Sequence, residues 1–424
     1  MTKADKEGRR KAPILRFKGF TDDWEQRQLN EVTTRVLRKN KNLTSKRPLT
    51  ISSQYGLIDQ QAFFNKQVAS SNLENYLLLE KGEFAYNKSY SDGFPYGTIK
   101  KLNLYENGAV STLYIAFKAN ADINSDFLEN LFSSNKWNNE VYKIAAEGAR
   151  NHGLLNISPN DFFNIKITIS KDSQEQAFIS KFLRVFDNLL ALYERKLKLL
   201  SQVKKYFLDN LFAEKEYPNL RFKGFTDAWE KIKLKDTQTT LTDGNYANLY
   251  PKPADMTDAD KGIPFLTGGN LKNGILDLEN AKYITKEKHS QLKSGHLEED
   301  DIVIAVRGSL GELGYVTKQN IDWNINSQLA IIRTSKNELI GKFLLYFFLS
   351  SKGKSKLLSR QTGTALKQLP LQQLKTIVVP KTLLLEQQKI SNILKTIDKT
   401  ISFYKGKQQH FAEIKNTLLN TMFI

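Results

Sequence analysis

Two stretches of this sequence, 205 residues apart, are nearly identical. The segment LRFKGFTDDWE at 15–25 returns as LRFKGFTDAWE at 220–230. A second pair of similar segments begins at Glu175 and at Glu386, now 211 residues apart. Self-similarity of this kind indicates a repeat architecture. The chain is therefore predicted to be a tandem duplication, in which each half has an opening segment, a variable body and a closing helix.

The closing segments have the apolar pattern of long paired helices. Their apolar residues alternate spacings of four and three, which is the heptad seam of a coiled coil. No Pro or Gly interrupts 174–213, and Asp172 followed by Glu175 has the form of an N-terminal cap. The residues predicted to pair the helices are Phe182, Phe186, Leu189, Tyr193, Leu200, Val203, Phe207, Ile393, Ile397, Tyr404, Phe411, Ile414 and Leu418. Each helix could instead pack only on its own body, but the register shared by the two halves favours helix-on-helix pairing.

Chain connectivity predicts the direction of the helices. The first helix enters the second body near Phe212, and the second helix leaves the same body near Leu383. If that body is compact, the two helices must run antiparallel. The predicted fold class is α+β: two mixed α/β bodies separated by two long helices that form an antiparallel coiled coil, with pseudo-twofold symmetry.

The bodies share a framework but differ in their loops. Period-two apolar runs predict strands in both halves, and Leu113, Ile115, Phe127, Leu128 and Phe132 align with Leu329, Ile331, Phe343, Leu344 and Phe348 at one offset of 216. By contrast, NKSYSDGFPYGTIKK at 87–101 has little in common with RGSLGELGYVTKQN at 307–320. Similar scaffolds with dissimilar loops are expected of two domains that bind different targets.

The charge balance points to a polyanionic partner. Lys and Arg total 63 against 45 Asp and Glu, a formal net charge of +18, and this excess favours nucleic acid binding. Charge alone is equally compatible with an ordinary basic protein. The absence of cysteine excludes disulfides and thiolate metal sites. The apolar runs are too short to span a bilayer, and a cytoplasmic location is expected.

Several segments together resemble the specificity subunit of type I restriction-modification systems. They are the repeated RFKGFTD opening, the strand EDDIVIAVRGSLG, and TGTALKQLPLQQLKTIVVP followed by EQQKI, combined with the heptad helices. The resemblance covers about 13–424. It departs from the family pattern in the first half, where EGARNHG replaces TGTALK and Ile169 replaces the proline of VVPK.

The resemblance implies two target recognition domains, each reading one part of a split double-stranded DNA sequence, held apart by the helices. It also implies docking of two modification (methyltransferase) subunits, which use S-adenosylmethionine to methylate adenine. Restriction subunits (translocase and nuclease) that use ATP and Mg would join for cleavage. No cofactor is expected in this chain. The predicted divisions are a basic tail at 1–12, recognition domains at 13–171 and 214–382, and spacer helices at 172–213 and 383–424.

The opening segments have two possible roles. Phe17, Phe20 and Trp24, like their second-half equivalents Phe222, Phe225 and Trp229, are predicted to pack each domain onto a helix end. Contact with DNA is the alternative, and Arg16, Lys18, Arg221 and Lys223 could then bind phosphate.

No catalytic chemistry is predicted in the chain itself. The sequence has no Pro-Pro dipeptide, so it lacks a motif resembling the Asn/Asp-Pro-Pro-aromatic motif of adenine methyltransferases. Gly353-Lys354-Ser355 lacks the leading glycine of a phosphate-binding loop, because Phe348 occupies that position. The four histidines, His152, His289, His296 and His410, show no ligand spacing, and no metal site is predicted. The alternatives to a non-catalytic specificity subunit are a stand-alone nucleic-acid enzyme and a helical scaffold protein.

Base reading requires Arg, Lys, Asn, Gln, Ser or Thr on loops that reach a DNA groove. In the first half the candidates are Lys88, Tyr90, Lys100, Arg150, Asn151 and His152. In the second half they are Arg307, Ser309, Lys318, Gln361, Thr362 and Lys367. The alternative for each is an ordinary solvated surface residue.

Overall fold

The structure is a computed structural model that describes residues 11–52, 55–64, 73–89, 93–145, 155–212, 216–364 and 366–424. It divides into two compact units, Met1–Glu194 with Gly406–Ile424, and Arg195–Lys405. Each unit therefore combines one body with a part of both long helices. Within the described ranges, no helix combines the length and the apolar character needed to cross a membrane.

The first unit is built on a four-stranded antiparallel sheet. Its strand order is β2-β9-β6-β7, and a separate antiparallel pair, β1 with β10, joins the opening segment to the strand that precedes the long helix. The elements are β1 Glu25–Gln28, α1 Leu29–Val32, β2 Thr33–Arg35, β3 Leu49–Ser52, β4 Gly56–Asp59, α2 Gln60–Phe64, β5 Leu77–Glu80, β6 Phe84–Asn87, β7 Thr98–Lys101, β8 Asn107–Val110, β9 Ile115–Ala119, α3 Ser125–Ser133, α4 Asn138–Ala145, α5 Pro159–Phe163, β10 Lys166–Ile169 and α6 Ser173–Leu211.

The second unit repeats this plan. Its main sheet has the order β12-β20-β17-β18, and β11 pairs with β21 as β1 pairs with β10. The elements are β11 Glu230–Lys233, β12 Thr240–Asp243, β13 Ile263–Leu266, β14 Leu271–Lys272, β15 Ile275–Leu276, β16 Lys282–Ile284, α7 Lys286–Gln291, β17 Ile302–Ala305, β18 Leu313–Tyr315, β19 Asn324–Ile325, β20 Leu329–Arg333, α8 Gly341–Leu349, α9 Ser351–Leu358, α10 Leu371–Lys375, β21 Val378–Lys381 and α11 Leu384–Met422. When the four strands of each main sheet are numbered in chain order, both sheets have the spatial order first, fourth, second, third. The duplication therefore extends to the topology.

The single offset of 216 holds for the helices of the bodies but not for their strands. Trp24 contacts Phe127 at 5.6 Å between ring centroids, and Trp229 contacts Phe343 at 5.9 Å, so α3 and α8 correspond as aligned. Ile115, however, lies in the core beside the long helices, whereas Ile331 lies in a separate core on the other face of the sheet. The strand alignment was wrong by one residue, and a one-residue slip turns every side chain to the opposite face.

The main core of each unit lies between the sheet and the two long helices. In the first unit, Leu183 near the start of α6 and Phe423 just after the end of α11 are both buried in this core. In the second unit, Leu211 at the end of α6 and Leu394 near the start of α11 are buried in the equivalent core. The helix termini are thus part of the folded bodies.

The two long helices run antiparallel within each unit. In the first unit Phe411 stacks on Tyr193 with 5.8 Å between ring centroids. Lys415, four residues after Phe411, binds Asp187, six residues before Tyr193. In the second unit the ammonium of Lys196 donates to the Tyr404 hydroxyl at 2.7 Å. The ammonium of Lys204 lies 2.6 Å from the Asp398 carboxylate. The direction predicted from connectivity agrees with these contacts.

The buried stripe of the helices departs from the predicted one at two positions. The predicted positions Phe186, Leu189, Tyr193, Leu200, Phe207, Ile393, Ile397, Tyr404, Phe411, Ile414 and Leu418 are half-buried. Phe182 and Val203, by contrast, remain 37% and 42% exposed. The neighbouring Leu183 is fully buried, as is Leu394, the equivalent residue of α11. The seam therefore keeps eleven of the thirteen predicted positions, and at Phe182 the adjacent apolar residue Leu183 is buried instead.

The N-terminal cap of α6 is partly as predicted. The Asp172 carboxylate accepts from the backbone N–H of Gln174 at 2.7 Å and of Glu175 at 3.3 Å, which satisfies two of the free donors of the first turn. The side chain of Glu175 does not return to the cap. It turns into the protein, where it has the role described next.

Candidate nucleic-acid interface

A buried glutamate in the first turn of α6 organises the opening segment. Glu175 is fully buried and accepts from Nη2 of Arg16 at 2.9 Å and from Nε1 of Trp24 at 3.0 Å, and the Ser170 hydroxyl also donates to it. The bond to Glu175 raises the pKa of Arg16. The paired, hydrogen-bonded charge is the arrangement that makes burial of a carboxylate tolerable. We call this set the first clasp.

The second unit repeats the arrangement as the second clasp. Glu386 is buried in the first turn of α11 and accepts from Nη2 of Arg221 at 2.9 Å and from Nε1 of Trp229 at 3.1 Å. Thr382 donates the third bond. Arg16 and Arg221 therefore bind carboxylates, which corrects the alternative that these two arginines contact DNA phosphate. Lys18 and Lys223 are exposed. The repeated RFKGFTD segment supplies the donors that fix each body to a helix start.

The aromatic residues of the opening segment pack as predicted. Phe17 contacts Phe178 and Phe182 at 5.9 and 5.6 Å between ring centroids, and Phe20 contacts Phe178 at 5.9 Å. In the second unit Phe222 packs against the main core, and Lys389 of α11 lies 5.0 Å from the ring of Phe225. The opening segments thus have a structural role, and the exposed loops remain the candidates for DNA recognition.

A polar surface surrounds Arg307 in the loop after β17. The guanidinium lies 5.7 Å from the centre of the Tyr246 ring and donates to the carbonyl of Ser327 at 3.3 Å. The Tyr246 hydroxyl in turn donates to Asp243 at 2.8 Å, and partial burial raises its pKa. These contacts orient the guanidinium while leaving Arg307 exposed.

The segment around 361–368 is brought beside Arg307. Gln368 forms backbone bridges with Arg307 and with Thr362, the latter through two N–H to O bonds of 2.9 and 3.0 Å. Ser309 lies next to the loop of Gly268, where an added Cβ would come 3.7 Å from its side chain. The Arg307 surface is defined here as Tyr246, Arg307, Ser309, Gln361, Thr362, Lys367 and Gln368. Guanidinium, amide and hydroxyl groups on exposed loops are those that read base edges in DNA.

Similar proteins point to the same activity. Residues 227–412 match the family described as the type I restriction modification DNA specificity domain. The MjaVIII specificity subunit of a type I restriction enzyme from Methanocaldococcus jannaschii is 24% identical over 330 residues, covering 75% of this chain and 74% of the relative. The putative MjaX specificity subunit from the same organism is 25% identical over 292 residues, covering 66% of this chain and 63% of the relative.

The fold comparison agrees with the sequence comparisons. The crystal structure of the S subunit of a type I restriction-modification system from M. genitalium superimposes with a TM-score of 0.59 at 16% identity, covering 97% of this chain and 99% of the other. Residues 227–412 therefore match a type I restriction modification DNA specificity domain, and over most of its length the chain is similar to type I restriction enzyme specificity subunits.

In the second unit, five of the six predicted reading residues lie together. Arg307, Ser309, Gln361, Thr362 and Lys367 all belong to the Arg307 surface. Lys318 does not, because it follows β18 at the end of that strand opposite to the Arg307 loop. It lies instead on a groove lined by Tyr315, Ile340 and Ser391, the last a residue of α11. Its assignment as a base reader is therefore not supported by its position.

The loop after β6 in the first unit begins with an equivalent backbone bond but with a different side-chain contact. The carbonyl of Lys88, directly after β6, accepts from the N–H of Leu155 at 3.0 Å, much as Val306 after β17 accepts from Leu369 at 2.9 Å. The ammonium of Lys88 donates to the carbonyl of Ile157 at 3.1 Å. Tyr90, Arg150, Asn151 and His152 lie outside the described residues, so of this predicted set only Lys88 and Lys100 can be placed.

Lys100 occupies a different environment from an exposed reading residue. It is half-buried on β7, and burial lowers the pKa of its ammonium. The charges that act on it are those of Glu129, Asp187 and Lys415, and the last two belong to the paired helices. This position favours a role beside the helices rather than in a DNA groove.

Sequence reasoning missed Tyr246 and Gln368 of the Arg307 surface. Both contact Arg307, one through its ring and the other through its backbone. An available signal was the short polar segment DGNY at 243–246, which lies at the end of β12, but nothing local connects it with a loop some sixty residues later.

Proposed function

We propose that the two units of this specificity subunit read two separate parts of one DNA target. The observation that carries the proposal is the contrast within the duplication. The main sheets have the same strand order, and each clasp has an arginine donor from the opening segment. The loops after β6 and β17 differ in sequence and in the contacts of their described basic side chains. A common frame places both loops in equivalent positions, and different loop side chains select different bases.

The charge of the chain supports contact with the DNA backbone. The net charge of +18 provides lysines and arginines for phosphate contacts, and each contact releases counterions. The logarithm of the DNA affinity should therefore fall linearly with the logarithm of salt concentration, with a slope of about −0.9 per phosphate contacted.

A row of exposed apolar residues on α6 is suited to partner subunits. Phe178, Val185 and Leu192 are 52%, 59% and 60% exposed in the first unit. In the second unit, Leu199 and Tyr206 are a separate pair with the same spacing, at 52% and 58% exposure. Residues seven apart lie on one face of a helix. The equivalents in α11 are mostly polar, for instance Thr396 for Val185.

The proposed occupants of this row are modification subunits. Two methyltransferase subunits would dock through the helices and supply S-adenosylmethionine and the methylation chemistry, and restriction subunits would supply ATP- and Mg-dependent cleavage. Exposed apolar side chains in a regular row are typical of interaction surfaces, and this support is independent of the DNA-reading loops.

The reading proposal is tested by methylation mapping. The chain is co-expressed with its modification subunit in a methylation-free host, and modified adenines are located across the genome. We expect a split motif with a fixed unspecified gap. Exchange of 218–382 for the equivalent segment of another specificity subunit should then change one part of the motif only. A contiguous motif, or a change in both parts after the exchange, contradicts two independent reading units.

The docking proposal is tested by Val185→Asp. A charge in an apolar interface should reduce co-purification of the modification subunit at least about tenfold, since an unpaired buried charge is costly. Thr396→Asp, the same change at the equivalent exposed position of α11, is the matched control and should leave co-purification unchanged. Equal effects of both variants, or none from Val185→Asp, would exclude the proposed row as the docking surface.

A further inference from the structure

Two histidines and an aspartate converge in the second unit, although the sequence spacing predicted no metal site. Nε2 of His289 lies 3.2 Å from Oδ1 of Asp322, and Nδ1 of His296 lies 3.4 Å from the same oxygen. One ligand atom from each residue lies within 4.8 Å of the others. His289 belongs to α7, His296 follows it, and Asp322 comes from the segment before β19.

The separations match those of ligands around one small cation. Zinc is bound tetrahedrally with Zn–N and Zn–O distances of about 2.0–2.2 Å, which places neighbouring ligand atoms about 3.3 Å apart. The two nitrogen-to-oxygen distances lie on either side of this value. Imidazole nitrogens and a carboxylate oxygen are also the donor set that zinc prefers.

The tautomer of His296 gives a second, independent indication. Its Nε2 lies 3.0 Å from the carbonyl of Leu292, and because a carbonyl can only accept, Nε2 must carry the hydrogen. A neutral ring then directs the lone pair of Nδ1 toward the Asp322 carboxylate, which is repulsive unless a cation lies between them. A ring N–H donated to a backbone carbonyl is the usual way in which metal-binding histidines are oriented.

His289 lacks the outer hydrogen bond that His296 makes. Its side chain is 11% exposed, and its Nδ1 is buried without a hydrogen-bond partner among the described residues. Its ring lies 4.5 Å from the ring of His296 between centroids, at an angle of 72°. The contribution of His289 to the site is therefore the position of its Nε2 beside Asp322.

We propose that His289 Nε2, His296 Nδ1 and Asp322 Oδ1 bind one Zn²⁺ ion, with solvent completing the tetrahedron beside the exposed Asp322. The ion would join α7 and the following turn to the segment before β19. That turn also contacts Asn245, which donates to the carbonyl of Ser294 at 2.7 Å and accepts from the N–H of Lys293 at 3.1 Å. Asn245 precedes Tyr246, so the ion would stabilise the loop that orients Arg307.

The competing arrangement is a metal-free ion pair, in which a protonated histidine donates to Asp322. Both arrangements use the same three side chains, but only one takes up metal. The test is zinc titration of the tag-free full chain, freed of metal by a chelator, in competition with a chromophoric chelator. We expect one Zn²⁺ per chain and a higher Tm with zinc than without it.

Zinc affinity should fall in each of three variants: His289→Ala, His296→Ala and Asp322→Asn. The loss should exceed about 10–100-fold, which is the effect of removing a residue that only contacts a metal ligand. The rise in Tm on adding zinc should also disappear. His410→Ala, a histidine exposed on α11, is the matched control and should bind zinc as the unaltered chain does. Zinc-free Tm values identify any variant that fails to fold, and Asp322→Asn is the decisive variant because its site is exposed.

Absence of stoichiometric zinc uptake by the unaltered chain would overturn the proposal in favour of the ion pair. Equal zinc affinity of the unaltered chain and Asp322→Asn would overturn it as well, because binding would then occur at surface groups elsewhere.

Discussion

The two units are alike where they are buried and different where they are exposed. Each buries a glutamate in the first turn of a long helix beneath an arginine and a tryptophan of its opening segment. Their loops differ in sequence, and the described basic side chains differ in contacts, since the ammonium of Lys88 binds the carbonyl of Ile157 while Arg307 is exposed over Tyr246. Few side chains can replace a buried charge and its partners, whereas an exposed loop can change without destabilising the core. The two units therefore share the buried glutamate and its donors and differ in their exposed loops.

The difference also reaches the helix that follows the last strand of each main sheet. Asp126 in the first turn of α3 binds Lys101 and Arg184. The equivalent residue of α8 is Lys342, whose ammonium lies 3.9 Å from the centre of the Tyr315 ring. One unit thus has a paired carboxylate where the other has a half-buried ammonium, and the same frame accommodates opposite charges.

The largest expected effect comes from removing the buried glutamate of either clasp, a feature that the two units share. Glu386→Ala would leave Arg221 and the Trp229 N–H without their acceptor, and removal of one partner of a buried ion pair costs about 3–5 kcal/mol. Glu175→Ala should destabilise the first unit by a similar amount. Urea denaturation of each variant measures the loss, with the exposed Glu194→Ala as control. A loss below about 1 kcal/mol in only one unit would show that the clasps are not equivalent.

The next prediction concerns the phase of the helix seam. Leu183→Ala and its α11 equivalent Leu394→Ala each remove a fully buried side chain and should cost about 2–5 kcal/mol. Phe182→Ala, one residue away and 37% exposed, should cost less than Leu183→Ala. Thermal and urea unfolding distinguish the two. The reverse order would restore the phase predicted from the sequence.

Lys342 should make the stability of the second unit depend on pH. Burial lowers the pKa of Lys342 from 10.5 to about 8. Between these values the unfolded chain retains a proton that the folded chain has lost, so the free energy of unfolding should rise with pH over pH 8–10.5.

Lys342→Met should remove this slope and stabilise the second unit at pH 7 by up to about 3 kcal/mol. Urea midpoints measured from pH 7 to pH 10 test the prediction, and the exposed Lys336→Met is the control. An unchanged slope in Lys342→Met would assign the pH dependence to another group.

The smallest expected effect sharpens the contrast between the loops. Arg307→Ala should weaken binding of target DNA by the assembled complex by about 1–3 kcal/mol and relax selection at one position. Lys318→Ala, at the opposite end of β18, should leave base selection unchanged. Lys88→Ala should have less effect than Arg307→Ala, because its ammonium is already bound within the first unit. Measurement at several salt concentrations separates base from phosphate contacts, and equal effects at Arg307 and Lys318 would contradict the Arg307 surface.

Much of the architecture followed from the sequence because its determinants are local. Heptad spacing predicted both long helices, the Asp172 cap agreed with the start of α6, and connectivity predicted the antiparallel direction. The loop after β17 was also identifiable, since exposed polar residues follow an apolar strand. Each of these depends on residues that are close in the chain.

Tertiary structure decided the partners of these local elements. The acceptor of Arg16 lies 159 residues later, so a basic residue that suggested phosphate binding is a structural ion pair. Adjacent apolar residues left the seam phase open, and one residue of strand register exchanged the faces of Ile115 and Ile331. His296 and Asp322 meet only because the β19 segment lies beside the turn after α7. Periodicity specifies which face of an element is buried, but the groups that satisfy a buried charge or share a ligand are brought together by folding.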